Sequence, residues 1–152
     1  MPFSQTAAFV TSLTAAPTGR ASATLVALGC NTTLTPRATG RVFVMMSAIA
    51  ANGTTTDGLT YNLYYGTGAA PANNDPVSGT AIGSLQTITS LVTSELSTSV
   101  ALHGTVTGLV ADTISTKNVT VAGTTYWLDV MFSNVTGGTV TFTNVNLTVI
   151  EF

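Results

Sequence analysis

Tyr126, Leu128, Val130 and Phe132 alternate with Trp127, Asp129, Met131 and Ser133 in one unbroken run. A period of two places successive side chains on opposite faces, so this run predicts a β-strand. The stretch Arg41-Val42-Phe43-Val44-Met45-Met46-Ser47-Ala48-Ile49 goes further, because Val42, Val44, Met46 and Ala48 are apolar and so are Phe43, Met45 and Ile49. A strand that is apolar on both faces lies between two hydrophobic surfaces. One is expected to be the core and the other a neighbouring subunit, which makes Phe43, Met45 and Ile49 candidate oligomer-interface residues.

Further strands follow from the same reading. Ser22–Leu28 is a candidate, followed by a polar connection, Asn31–Pro36. In Leu59–Tyr65, the residues Leu59, Tyr61, Leu63 and Tyr65 share a face, and Gly66–Pro76 is a long loop. Leu85–Leu96 has apolar residues at helical spacing, but its Thr and Ser content favours an extended chain. Ser99–Val110 and Ile114–Val121 are shorter candidates. Val135-Thr136-Gly137-Gly138 is expected to close a tight hairpin. After it, Val140 and Phe142 are in phase while Val145, Leu147 and Val149 are shifted by one, which predicts a β-bulge near Asn144. Seven or eight short antiparallel strands describe an all-β, jelly-roll-like β-sandwich. Residues 1–20 lack the alternation and are expected to form an N-terminal arm or linker, with residues 21–152 as a single sandwich domain.

Only ten residues of 152 are charged, four Lys+Arg and six Asp+Glu, or 7 % against about 25 % in an ordinary soluble domain. Thr and Ser fill much of the space. A chain so poor in charge has little with which to keep its own surface solvated, and is expected to cover it with copies of itself or with a scaffold. The net charge of −2 gives no footing for nucleic acid or for an acidic membrane. No apolar run is long enough for a transmembrane helix. Met1-Pro2-Phe3-Ser4-Gln5 carries no basic leader, so the chain is expected to be made in the cytoplasm.

Catalytic constellations are sparse. His103 is the only histidine and Cys30 the only cysteine, so neither a His-rich metal site nor an intramolecular disulfide can be built within one chain. Cys30 is expected to be a small buried hydrophobe, and His103 a surface residue. Asp57, Asp75, Glu95, Asp112, Asp129 and Glu151 each read as isolated in a turn or on a polar strand face, not as a hydrolytic pair. Gly66-Thr67-Gly68 lacks the helix that a phosphate loop needs. Among the aromatics Tyr61, Tyr64, Tyr65, Tyr126 and Trp127, packing is the weightier reading. Tyr64 and Trp127 fall opposite their strands' apolar sets, which makes them candidates for a ligand or receptor face. No catalytic residue, cofactor or metal is expected.

The segments Gly40–Ser47, Thr60–Asn73, Tyr126–Val130, Thr136–Val140 and Asn146–Glu151 resemble small virion proteins of tailed bacteriophages. The resemblance covers roughly residues 20–152. It implies a jelly roll related to the tumour-necrosis-factor-like fold, a homotrimer, and a place in the virion after assembly in the host cytoplasm. Partners would be further copies of the chain and the major capsid protein or other virion proteins. The expected role is capsid decoration, and the alternative is a receptor- or glycan-binding fibre head that engages a host surface glycan. No catalytic residues come with that family.

Overall fold

The computed structural model describes residues 7–9, 24–37, 39–53, 58–89, 98–110, 113–114, 120–121, 123–135 and 137–151. Their strands, in chain order, are β1 (Ala7–Phe9), β2 (Val26–Ala27), β3 (Thr32–Leu34), β4 (Val42–Asn52), β5 (Leu59–Thr67), β6 (Thr80–Ile88), β7 (Thr98–Val106), β8 (Thr113–Ile114), β9 (Thr120–Val121), β10 (Tyr126–Asn134) and β11 (Val140–Glu151). The all-β antiparallel sandwich is as expected. One sheet has the order β1-β11-β4-β7, and the other β2-β10-β5-β6 with β3 also on β10. Strands β8 and β9 pair with each other. No helix among the described residues is long and apolar enough to cross a membrane.

The inner faces follow the period of two. Val42, Val44, Met46 and Ala48 of β4 meet Leu59, Tyr61 and Leu63 of β5 and Leu128, Val130 and Phe132 of β10 in one core. Phe132 and Phe142 join the two sheets edge to face, with centroids 5.2 Å apart and planes at 76°, the geometry favoured by the ring quadrupoles. The bulge also forms: the β11–β4 register shifts between Thr143 and Asn146, and Asn144 takes φ 52°. That extra residue returns Val145, Leu147 and Val149 to the core.

Several expectations need correction. Ile114–Val121 is not one strand, since Ile114 in β8 pairs with Thr120 in β9. Val135–Gly138 does not close a hairpin, because β10 and β11 lie in different sheets. The strands β4 and β5 likewise lie in different sheets. Buried Asn52 holds the ends of both pairs together, its Nδ2 donating to the carbonyls of Gly58 and Gly137, both at 3.2 Å. Asn31–Pro36 is not wholly a connection, since Thr32–Leu34 pairs with Leu128–Tyr126. The strand placed within Leu85–Leu96 begins earlier, at Thr80, and its later part lies outside the described residues. Most of the first 20 residues also lie outside them, but Ala7–Phe9 adds an edge strand to β11, in register with Ile150–Thr148.

Candidate functional site

The outer face of the β11-β4-β7 sheet presents the candidate interface residues. Phe43 and Ile49 are partly exposed and Met45 is 46 % exposed. Across β4 the register sets Phe43 between Thr105 and Ile150, and Met45 between His103 and Thr148. His103 is exposed and stacks on Phe43 at 6.2 Å and 29°. From Phe43 to Ala51, Ala101 to Thr105 and Thr141 to Ile150, no outward residue is Asp, Glu, Lys or Arg. The result is a partly apolar surface that carries none of these four residue types over these ranges.

Two of the acids turn out quite differently from the isolated surface groups expected. Asp129 is fully buried on the outer side of β10. Its Oδ2 accepts from the Gly29 amide at 3.0 Å, and its Oδ1 from the Cys30 and Val130 amides at 3.1 and 2.7 Å. Burial pushes its carboxyl up to about 7, although those three N–H bonds favour the ionised form. Glu151, 2 % exposed, plays a parallel part in the other sheet. It accepts the Arg37 amide at 2.8 Å on Oε2, and the Thr39 and Gly40 amides at 2.8 and 3.1 Å on Oε1. Both carboxylates fasten a loop to a strand. Asp75 lies in a surface turn, accepting from the Ala72 amide at 2.7 Å, and Asp57, Glu95 and Asp112 lie outside the described residues. Cys30 is buried, and burial, reinforced by the nearby Asp129, pushes its thiol up to about 12. It is a packed side chain with no thiolate to offer.

Trp127 and Tyr64 are not equivalent. Trp127 is 3 % exposed and packs with Ala27 and Met131, against which Leu25, Tyr64 and Ala70 rest. The indole N–H donates to the Thr67 carbonyl at 3.3 Å. Tyr64 is half-buried beside it. At this end of the sheet a cleft of about 410 Å³ opens, lined by Tyr65, Gly66, Thr67, Ala69, Ser78, Gly79, Thr80, Tyr126 and Trp127. A Cβ on Gly66 would sit 2.5 Å from the Trp127 ring, so only glycine lets the indole lie against the β5 backbone there. Tyr65 and Tyr126 pack at 6.1 Å and 56°, and the Tyr126 hydroxyl accepts from the Val110 amide at 3.0 Å. Both tyrosines belong to the core phase of their strands, so alternation gave no sign that they border a cleft. Among the described residues, no group of three or more His, Cys, Asp and Glu is arranged to hold a metal ion.

No protein-family model matches the chain, and no curated protein matches it significantly. Among solved structures it is similar to infectious bursal disease virus, Gt strain, with TM-score 0.51 and 10 % identity over 97 % of this chain and 33 % of that one. It is also similar to the VP2 subviral particle of infectious bursal disease virus, with TM-score 0.47 and 10 % identity over 96 % of this chain and 32 % of that one. A further similarity is to dimeric latent PorU from Porphyromonas gingivalis, with TM-score 0.46 and 11 % identity over 97 % and 13 %. The chain spans about a third of the length of the viral chains that it matches. The likeness is one of fold: this β-sandwich is of the kind found in the infectious bursal disease virus structure.

Proposed function

We propose that the protein is a structural component of a virion, a homotrimer that decorates and stabilises the capsid of a tailed bacteriophage, acting by binding and without catalysis. The observation that carries this reading is the outer face around Phe43, Met45 and Ile49, without Asp, Glu, Lys or Arg, in a chain that has few charges to spend on any surface. Obligate interfaces are the more hydrophobic class, and a second copy offering the same face requires no carboxylate, ammonium or guanidinium ion to be desolvated. The viral sandwich that matches 97 % of the chain and the resemblance to small phage virion proteins support a place in a particle. The test is the mass of the purified protein by light scattering, followed by its copy number on intact particles. A trimer present in hundreds of copies is the expected result. A monodisperse monomer would remove the assembly role, and a few dozen copies would instead indicate a fibre head.

A further inference from the structure

The cleft between the ends of β5, β6 and β10 has a chemistry separate from that of the outer face. Its walls combine the half-buried Tyr65 and the little that Tyr126 and Trp127 leave exposed, 8 % and 3 %, with three exposed hydroxyl residues, Thr67, Ser78 and Thr80, and no charged residue lines it. Its volume of about 410 Å³ lies within the roughly 300–1,000 Å³ of small-molecule sites, which pair apolar walls with a few orienting polar groups. The walls are set in advance. The Trp127 N–H is committed to Thr67 and the Tyr126 oxygen to Val110, so neither ring has to be ordered when a ligand enters.

We propose that this cleft binds a neutral saccharide. A charged ligand would lose hydration against walls that offer no counter-ion. A purely apolar one would make no use of the exposed hydroxyls of Thr67, Ser78 and Thr80. A pyranose matches both kinds of wall, a C–H face packing on the accessible side of Tyr65 and its hydroxyls exchanging hydrogen bonds with the Thr and Ser side chains. Saccharide binding and assembly are separable, because the cleft belongs to β5, β6 and β10 and the outer face to β4, β7 and β11.

Trp127 is the only tryptophan, so its emission reports on the cleft alone. The full-length protein would be titrated with methyl glucoside, methyl galactoside and N-acetylglucosamine, with adenosine and sialic acid as flat and as anionic comparisons. A saturable change with at least one neutral sugar, weakened about tenfold or more in both Ser78→Arg and Ala69→Arg, is the expected result. Ser78 and Ala69 are exposed, so neither substitution disturbs the core, and unchanged melting temperatures would verify this. No saturable change with any neutral sugar would overturn the proposal. So would equal binding by both variants, or tighter binding of adenosine or sialic acid. The light-scattering mass of the same samples reads assembly independently of all these outcomes.

Discussion

The carboxylate of Asp129 accepts the Gly29 amide at 3.0 Å across a sequence separation of 100. This contact closes a layer over the outer side of β10. The segment beginning at Val26 pairs with β10 through Ala27 and Met131. The loop Pro71–Asp75 is then tied to that segment by the Ala27 amide donating to the Asp75 carbonyl, the Asn74 amide to the Ala27 carbonyl, and Asn73 Nδ2 to the Leu28 carbonyl, at 2.8–2.9 Å. The outward residues of β10, Trp127, Asp129, Met131 and Ser133, are therefore buried as well as the core-facing ones.

The buried acid predicts an unusual pH dependence. Asp129 titrates near 7 in the folded protein because burial disfavours its charge, whereas in the unfolded chain it titrates near the ordinary value of about 3.9. Between those values the native state binds more protons than the unfolded state, so stability falls as pH rises. This contribution is present in full below the unfolded value and lost through about pH 7. The urea midpoint should therefore be higher at about pH 5 than at about pH 8, and Asp129→Asn should flatten that difference. Asparagine also turns an amide group toward a backbone N–H that now has an acceptor, so the variant should lose about 1–3 kcal/mol overall. A wild-type midpoint that rises between those two pH values in step with the variant would contradict the assignment.

Gly29 should not tolerate a side chain. Its φ is 74°, and a Cβ there would lie 2.5 Å from the Asn73 amide nitrogen. Gly29→Ala is expected to cost about 1–3 kcal/mol from backbone strain alone, with the contact adding to it. Thermal unfolding measures the sum. An unchanged melting temperature would mean that the loop does not seat on Gly29.

Phe132→Ala should be among the most damaging core changes. The ring is 1 % exposed and bridges the sheets through Phe142. A loss of about 3–5 kcal/mol is expected from denaturant unfolding. A loss under about 1 kcal/mol would show that the core repacks freely around the gap.

Met45→Glu separates folding from assembly. Met45 is 46 % exposed, so the charge should change subunit stability by no more than about 0.5 kcal/mol, while the light-scattering mass should fall to that of a monomer. A variant that assembles like the wild type would place the subunit contact elsewhere.

Deleting residues 2–16 removes Ala7–Phe9 from the edge of β11 but leaves the paired strands β4, β7 and β11 in place. The truncated protein should retain a cooperative unfolding transition and its strand circular dichroism, and should no longer bind particles. Loss of the transition would mean that the arm is part of the folding unit.

The alternation at Tyr126–Phe132, the doubly apolar strand at Val42–Ile49 and the phase slip at Asn144 were all legible in the sequence. Each is a local property, because the pleat sends neighbouring side chains to opposite faces whatever lies beyond them. The sandwich class follows from repeating that pattern. The destination of the chain after Asn134 was not legible, since a turn rich in glycine serves a hairpin and a passage to the other sheet equally well. What separates them is the pairing of β11 with β4 and of β10 with β5, a choice made among strands far apart in sequence. The environment of Asp129 was hidden for the same reason. Period two places it opposite Leu128 and Val130 but does not say what covers that face. Only the packing of Gly29, Cys30 and the Pro71–Asp75 loop over β10 makes it a buried acid, because burial depends on which distant segments pack together and a side chain's position along its own strand cannot specify them.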